Sequence, residues 1–391
     1  MMREVKWENR TLSELGNVSR GKSKHRPRND SSLYGGDYPF IQTGDVKEAN
    51  FYINDYSQTY NEKGLKQSKL WGKDTLCITI AANIAETAIL SFPACFPDSI
   101  VGFVPFENVS DVRYMKYTLD NYKNEFQGKS KGATQDNLSV SKIDSQKLLV
   151  PEYNYQVEIA SIISTYDDLI ENNQNRIKIL EEMAQRLYTE WFVKFKFPGH
   201  EDVKMVESGT EFGMIPEGWE VKTVKEVIER HPAGKRYSNK NALLEGSVPI
   251  LDQGRSGLIG FHNDNPGCNA SEDDPIIVFA NHTCYQRLVF YPFSSIQNVL
   301  PYKAIDKNYD IVWLHYSTKD VISFNDYKGH WPEFLSKKLI VPKSDITKNY
   351  GEFTKPLLLK IKKLGELDID LSNIRDLLIE NLVTGKRLMK N

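Results

Sequence analysis

Four short motifs recur in the same order along the chain, at a spacing of about 200 residues, and this duplication limits the fold more than any other feature. Trp7, five residues before Leu12, is echoed by Trp219, five before Val224. YPFIQTG (38–44) is echoed by SVPILDQG (247–254), with Phe40-Ile41 facing Ile250-Leu251 and Gly44 facing Gly254. DTLCITIAAN (74–83) resembles DDPIIVFAN (273–281), each an apolar run that ends at an asparagine, and LLVP (148–151) matches LIVP (339–342). One hydrophobic core rarely serves 391 residues, so two related domains are the economical reading. Within each half the apolar runs are short, β-type and broken by Gly, Pro and Asn, for example Thr75–Ile80, Ile100–Pro105, Ile276–Ala280 and Arg287–Tyr291. Long polar loops with interleaved aromatics connect them, which suits a mixed domain whose loops carry the function.

After each of these Val-Pro elements the period changes to that of a helix. Ile163, Ile170, Ile177, Ala184 and Trp191 fall seven apart, with Ile159, Tyr166, Asn173, Leu180 and Leu187 in the second position. In the last segment Leu357, Leu364, Leu371 and Leu378 are interleaved with Leu367, Ile374, Asn381 and Leu388. A two-position seam over four heptads predicts coiled-coil helices, the first from about Gln156 to Phe192 and about 55 Å long. Asn173 and Asn381 fit either a register-fixing polar position or a water-facing gap. The two helices follow the two halves, so they can pair antiparallel within the chain as a spacer. The predicted architecture is α+β: two similar mixed α/β domains joined by two long antiparallel coiled-coil helices. The divisions are a first domain over 1–152, a helix over 153–197, a linker over 198–212, a second domain over 213–343 and a helix over 344–391.

Composition excludes several classes. Apolar residues at 40% and aromatics at 11% are enough for real cores. No apolar run approaches the roughly 20 residues of a membrane span, and the start MMREVKWENR lacks a signal-peptide core. Four scattered cysteines, Cys77, Cys95, Cys268 and Cys284, form no disulfide framework, so a cytoplasmic location is expected. The net charge of −2 is unevenly spread: residues 1–150 hold 20 Lys/Arg against 18 Asp/Glu, and 151–350 hold 22 against 28. RGKSKHRPR (20–28) carries five Lys/Arg and no acid, either a phosphate-facing patch or a solvated basic loop.

Taken together, LGNVSRGK (15–22), GATQDNL (132–138), LLVP, IENNQNRIKILEEMAQRLYTEWF (170–192) and MIPEGWEVKTV reopening the second half at 214–224 resemble the specificity subunit of type I restriction–modification systems. The resemblance covers essentially the whole chain. It implies two target-recognition domains, each reading one half of a bipartite double-stranded DNA site. It further implies helices that set the gap and dock two methyltransferase subunits, with restriction/translocase subunits completing the complex. Adenine methylation and ATP-dependent cleavage then belong to partners, as do S-adenosylmethionine, ATP and Mg, and this chain is expected to hold no cofactor or metal and to be non-catalytic. The second half departs from the pattern, with GHWPEFL (329–335) where a GATQDNL-type segment is expected.

Other motifs give way on chemical grounds. GNVSRGKS (16–23) matches the phosphate-loop pattern, but TLSEL precedes it and KHRPRND follows, so neither the apolar strand nor the helix start that cradles phosphate is present. Asn265-Pro266-Gly267-Cys268 lacks the second proline and the aromatic that an adenine methylase needs to hold a flipped base. Asp45-Val46-Lys47 and Asp202-Val203-Lys204 are too short to mark a nuclease. His262, Cys268, His282 and Cys284 have no CxxC spacing and read better as buried thiols and surface imidazoles than as zinc ligands.

DNA reading calls for Arg, Lys, Asn or Gln projecting from loops and strand ends. In the first half Arg20, Lys22, Lys24, Arg26 and Arg28 are candidates for phosphate or groove contacts, as a flexible cationic loop, and Gln42, Thr43, Asn83 and Gln135 for base edges. In the second, Lys235, Arg236 and Tyr237 occupy the basic-loop position, and Gln253, Arg255, Asn281, His282, Gln286 and Arg287 are the polar readers. Each is equally readable as an ordinary loop residue. Two other functions compete: a self-contained restriction or modification enzyme, and a tandem glycan-binding module using Tyr34, Tyr38, Tyr52, Tyr56 and Tyr60.

Overall fold

The computed structural model describes residues 5–130, 138–254, 257–324, 326 and 328–386. The chain divides into two units, Met1–Asn173 with Leu367–Asn391, and Gln174–Glu366.

In the first unit Thr11 starts a one-turn helix, Leu12–Leu15, by a reciprocal capping box with Glu14, and the turn buries Leu12 and Leu15. The strand Gly16–Arg20 follows at the edge of a five-stranded sheet, ordered Gly16–Arg20, Ile100–Pro105, Leu76–Thr79, Thr87–Leu90, Tyr52–Ile53. Leu76–Thr79 is buried along its whole length, which is why its sequence is a continuous apolar run rather than an alternating one. Its core includes Tyr114, Met115 and Tyr117 from a helix, Val112–Asn121, that Asp111 caps through two backbone N–H groups. A smaller sheet, with Tyr34–Phe40 at its centre, helps to form a second cluster in which Trp71 stacks on Phe96. The unit closes where Trp7–Arg10 pairs antiparallel with Leu148–Pro151.

The second unit repeats this plan with one strand fewer in its larger sheet. Thr223 and Glu226 form the capping box before Val224–Val227. The sheet order is Ile228–Arg230, Val299–Ala304, Ile276–Ala280, Gln286–Val289, the same as the first without its outer strand. Asp310 caps the helix Ile311–Thr318 as Asp111 caps its counterpart, and Glu220–Thr223 pairs with Lys338–Val341 to close the unit. The sequence repeat is therefore a repeat of topology.

Each closing pair hands the chain to a long helix, Tyr153–Tyr188 and Ser344–Leu378, and each helix ends in a five-residue π turn, Thr189–Val193 and Ile379–Val383. The helices are antiparallel. In the first unit Asp167 meets Arg375 and Asn173 meets Asp368, and in the second the Tyr350 hydroxyl donates to the Ala184 carbonyl at 3.2 Å. The seam predicted for the first helix faces inward, with Ile159, Ile163, Ile170, Asn173, Ala184 and Trp191 all buried. The last helix corrects its own prediction. Leu364 and Leu371 are buried, but Leu367 and Ile374 are 46% and 44% exposed. The second inward position runs one residue later, through Thr354, Ile361, Asp368, Arg375 and Leu382. Polar partners explain the shift: Asn173 Nδ2 donates to Asp368 Oδ1 at 2.8 Å, and Arg375 Nη1 donates to Asp167 Oδ1 at 2.9 Å. Asn173 is thus a partnered seam residue, whereas Asn381 donates to the Leu377 carbonyl of its own helix at 2.7 Å. Leu388 lies outside the described residues.

The C-terminal π turn completes the first core. Leu382 and Val383 join the cluster of Tyr114, Ile159 and Ile163, and the Tyr114 hydroxyl donates to the Val383 carbonyl. Leu382→Ala is expected to destabilise the first unit by about 2–4 kcal/mol. Hydrogen exchange should accelerate in residues 100–163 and hardly change in 276–341; uniform acceleration would refute the placement.

His315 is enclosed in the second unit, and burial pushes its pKa from 6.5 down to about 3. The folded chain holds it neutral while the unfolded chain takes up a proton below pH 6.5, so stability is lost as pH falls from 6.5 toward 3. The loss is about 1.4 kcal/mol per pH unit across that window. His315→Phe should flatten this part of the melting-temperature profile, and an unchanged profile would remove His315 as its cause.

Candidate nucleic-acid interface

In the first unit the strand register gathers several candidates at one end of the five-stranded sheet. Val101 lies opposite Arg20, and Ile100 lies opposite Thr79. The loop after Arg20, the turn after Thr79 and the segment before Ile100 therefore leave the sheet together. Asn83 sits in that turn, where its carbonyl accepts from the Thr79 hydroxyl. Leu138 donates its N–H to the Ile80 carbonyl at 3.0 Å, while Gln135 lies outside the described residues.

The basic segment is more firmly held than its composition suggests. Lys22 N–H donates to the Phe96 carbonyl at 3.0 Å, the Ser68 hydroxyl donates to the Lys22 carbonyl at 2.7 Å, and His25 N–H donates to Gln67 Oε1 at 3.0 Å. A side chain at Gly21 would collide with the Phe96 ring and carbonyl, so this close approach demands glycine. Asp30 accepts from Ser32 and lies 2.7 Å from His25, and the Ser32 bonds are the main cause holding its pKa down at about 2. The expected flexible loop is instead an anchored one that exposes Arg20, Lys24, Arg26 and Arg28, with Lys22 half-buried. Among the described residues Arg20, Lys22 and Lys24 form no ion pair, whereas Arg26 and Arg28 share Asp98. The phosphate-loop reading fails here too, because GNVSR is itself an edge strand and no helix follows it.

Arg28, Gln42 and Thr43 converge on an open pocket of about 560 Å³ that Asn29, Ser31, Tyr34 and Gln58 also line. Gln42 Nε2 donates to Gln58 Oε1 at 3.0 Å, and Gln42 and Asp45 form a capping box at the start of the helix Thr43–Glu48. Asn29 and Gln58 escaped sequence reasoning because the pocket is assembled from separate loops, and no periodicity marks such convergence.

In the second unit several candidates turn inward. Arg236 is half-buried, and its Nη1 donates to Ser295 Oγ, the Ile296 carbonyl and the Val299 carbonyl at 2.6, 3.2 and 2.9 Å. Tyr237 is buried, stacked on His262 with ring centroids 4.0 Å apart. Gln286 is buried as well, donating to the Thr318 carbonyl and accepting from the Tyr302 hydroxyl at 2.7 Å. Lys235 is exposed but pairs with Asp264 at 2.6 Å. Arg287 donates to the carbonyls of Gly254 and Gly257, Gln253 Oε1 accepts from His282 N–H at 2.9 Å, and His282 Nδ1 lies 2.8 Å from the Lys328 carbonyl. Arg255 lies outside the described residues. Asn281 organises the divergent GHWPEFL segment: its carbonyl accepts from His330 N–H and its side chain from Trp331 N–H. That segment docks after the central strand where Leu138 docks in the first unit, so the sequence departs from the pattern while the position is kept.

His262 resembles part of a hydrolytic triad, with Nε2 2.9 Å from Ser294 Oγ and Asp264 nearby. Its Nδ1 accepts the Asp264 backbone N–H at 3.0 Å, so the ring proton is on Nε2 and points at the serine. A base that takes the serine proton needs the opposite tautomer. Cys268 Sγ meets the Pro232 carbonyl at 3.4 Å, and among the described residues no group of three or more His, Cys, Asp or Glu could hold a metal ion.

Residues 4–182 match the family model of the type I restriction modification DNA specificity domain. Over 97% of its length the chain is 24% identical to the type I restriction enzyme MjaIX specificity subunit of Methanocaldococcus jannaschii, and the match spans 93% of that relative. The chain is thus similar along nearly its whole length to a type I restriction enzyme specificity subunit, and its residues 4–182 carry the match to the specificity-domain model. The EcoR124I/EcoR124II specificity subunit of Escherichia coli is 25% identical over 51% of this chain and 50% of its own. A crystal structure of a type I S subunit from M. genitalium shares the fold, with a TM-score of 0.65 at 14% identity over 100% of this chain and 98% of that one. The family model ends inside the first long helix, and the second unit shares the order of four of the five strands of the first unit's larger sheet. Among the described residues no helix is long and apolar enough to cross a membrane.

The hydrogen bonds separate structural from exposed candidates by measurement. Arg236→Ala should destabilise the second unit by about 2–3 kcal/mol, because three acceptors lose their donor. Lys24→Ala should leave the melting temperature unchanged. Equal melting of the two variants would overturn this division.

Proposed function

We propose that this chain is a specificity subunit that reads a bipartite double-stranded DNA site, one half-site per unit, and performs no chemistry itself. The observation that carries this is the duplicated frame: the same sheet order twice, with different polar loops around it. A common scaffold with divergent loops suits two readers of the same polymer that prefer different sequences. The candidate base contacts in the first unit are Gln42, Thr43, Asn83 and Gln135, beside the cationic segment from Arg20 to Arg28. In the second they are Gln253, Arg255, Asn281, His282 and Arg287, with Lys235 facing phosphate. Arg236, Tyr237 and Gln286 support those loops from within.

The rest of the reading concerns partners. Leu367, Ile374 and Leu377 are exposed on the last helix, as are Ile162 and Leu169 on the first. Apolar rows of this kind on a helix favour partner docking, and we assign them to two methyltransferase subunits, with restriction/translocase subunits joining the same complex. S-adenosylmethionine, ATP and Mg belong to those partners, and adenine methylation or cleavage takes place there, in the cytoplasm. The helices then act as the spacer between half-sites. Exchanging residues 1–150 for the matching domain of a relative, with the methyltransferase present, should change one half-site in a genome-wide methylation map and leave the other intact. A change in both half-sites would end the one-unit, one-half-site reading.

A further inference from the structure

We infer that the two units grip DNA by different physics: the first supplies most of the electrostatic hold on phosphate, and the second binds chiefly through groups locked in internal hydrogen bonds. This rests on the DNA reading proposed above and adds a division of labour that the duplicated fold does not by itself require.

In both units the edge strand, Gly16–Arg20 or Ile228–Arg230, runs into a loop that carries basic residues toward the smaller sheet. In the first unit that loop keeps its charge available. Arg20 and Lys24 are exposed, and neither they nor Lys22 form an ion pair among the described residues. Arg26 and Arg28 have one carboxylate, Asp98, between them. The second unit commits its cations at the same place to internal partners. Lys235 pairs with Asp264, a carboxylate that also accepts the Tyr237 hydroxyl at 2.8 Å. Arg236 spends its Nη1 on Ser295, Ile296 and Val299. Arg287 is likewise committed to the Gly254 and Gly257 carbonyls.

An available cation releases a counterion when it meets a phosphate, and each such contact adds about 0.9 to the steepness of log affinity against log salt. A cation already paired with a carboxylate must give up that partner first, and the net gain shrinks accordingly. The contrast is local to this loop, because as wholes the first unit holds 24 Lys/Arg against 27 Asp/Glu and the second 26 against 25.

The test removes three positive charges from each unit of the full chain. One variant carries Arg20→Gln, Lys22→Gln and Lys24→Gln; the other carries Lys235→Gln, Arg236→Gln and Arg287→Gln, the cations that the second unit commits to internal partners, with Lys235→Gln alone as the control that leaves the buried bonds intact. Both triple variants lose the same total charge, so a purely global effect predicts equal losses. Binding to a mixed-sequence duplex of about 40 base pairs is followed by fluorescence anisotropy from 50 to 200 mM salt. The first variant should lose about 2.7 from the salt slope, so that its affinity falls about 40-fold less than the wild type over that range. The second should lose less than about 0.9, and Lys22→Arg with Lys24→Arg should keep the wild-type slope. Equal losses, or a larger loss in the second variant, overturn the division of labour and leave the DNA reading standing. A wild-type chain with no salt-dependent duplex binding would instead overturn the DNA reading itself.

Discussion

Residues 367–383 stand more than 200 positions from the sheet they help to bury, and the first unit is incomplete without them. A long helix with a narrow apolar seam gains little from propensity alone and must be covered by a partner. The partner here is the other long helix, running the opposite way. Apolar seams tolerate sliding by a heptad; the Asn173–Asp368 and Asp167–Arg375 pairs do not, because a slip would leave partly buried polar groups without partners. Asp167 also accepts the Tyr117 hydroxyl, so the same carboxylate ties the first sheet's covering helix to both long helices.

On this frame the two units share what the core needs and differ where the core makes no demand. Capping boxes at Thr11 and Thr223, caps at Asp111 and Asp310, and the buried central strands Leu76–Thr79 and Ile276–Ala280 recur because each solves the same local problem of backbone satisfaction or burial. The loops between them follow no such rule. The first unit uses anchored but exposed cations, and the second a mesh of hydrogen bonds through Gln253, Asn281, His282 and Arg287. The segment GHWPEFL shows how far sequence can drift while a docking point stays fixed.

For the candidate site, legibility in the sequence depended on the question asked. Residue type at a loop position marked Arg20, Lys24, Gln42 and Thr43, all at the surface or lining the pocket. The same criterion marked Arg236, Tyr237 and Gln286, whose polar atoms face inward to carbonyls, a carboxylate and hydroxyls. Nothing in a one-dimensional string distinguishes a glutamine that reaches solvent from one that reaches Thr318, because the difference lies in which strand edge its Cα occupies. Asn29 and Gln58 went unnoticed for the converse reason, since each matters only through neighbours contributed by other loops.

The sequence by itself determined the duplication, the succession of strands and long helices, the inward face of the first helix and the resemblance to specificity subunits. Each of these is written in local periodicity, capping residues or ordered motifs, which survive without knowledge of distant contacts. Only the tertiary structure decided the inward face of the last helix, where polar partners on the opposing strand of the seam moved Asp368 and Arg375 inside and left Leu367 and Ile374 exposed. It also decided which cations remain available, because an ion pair such as Lys235–Asp264 joins residues 29 positions apart that only the folded loops bring within 2.6 Å.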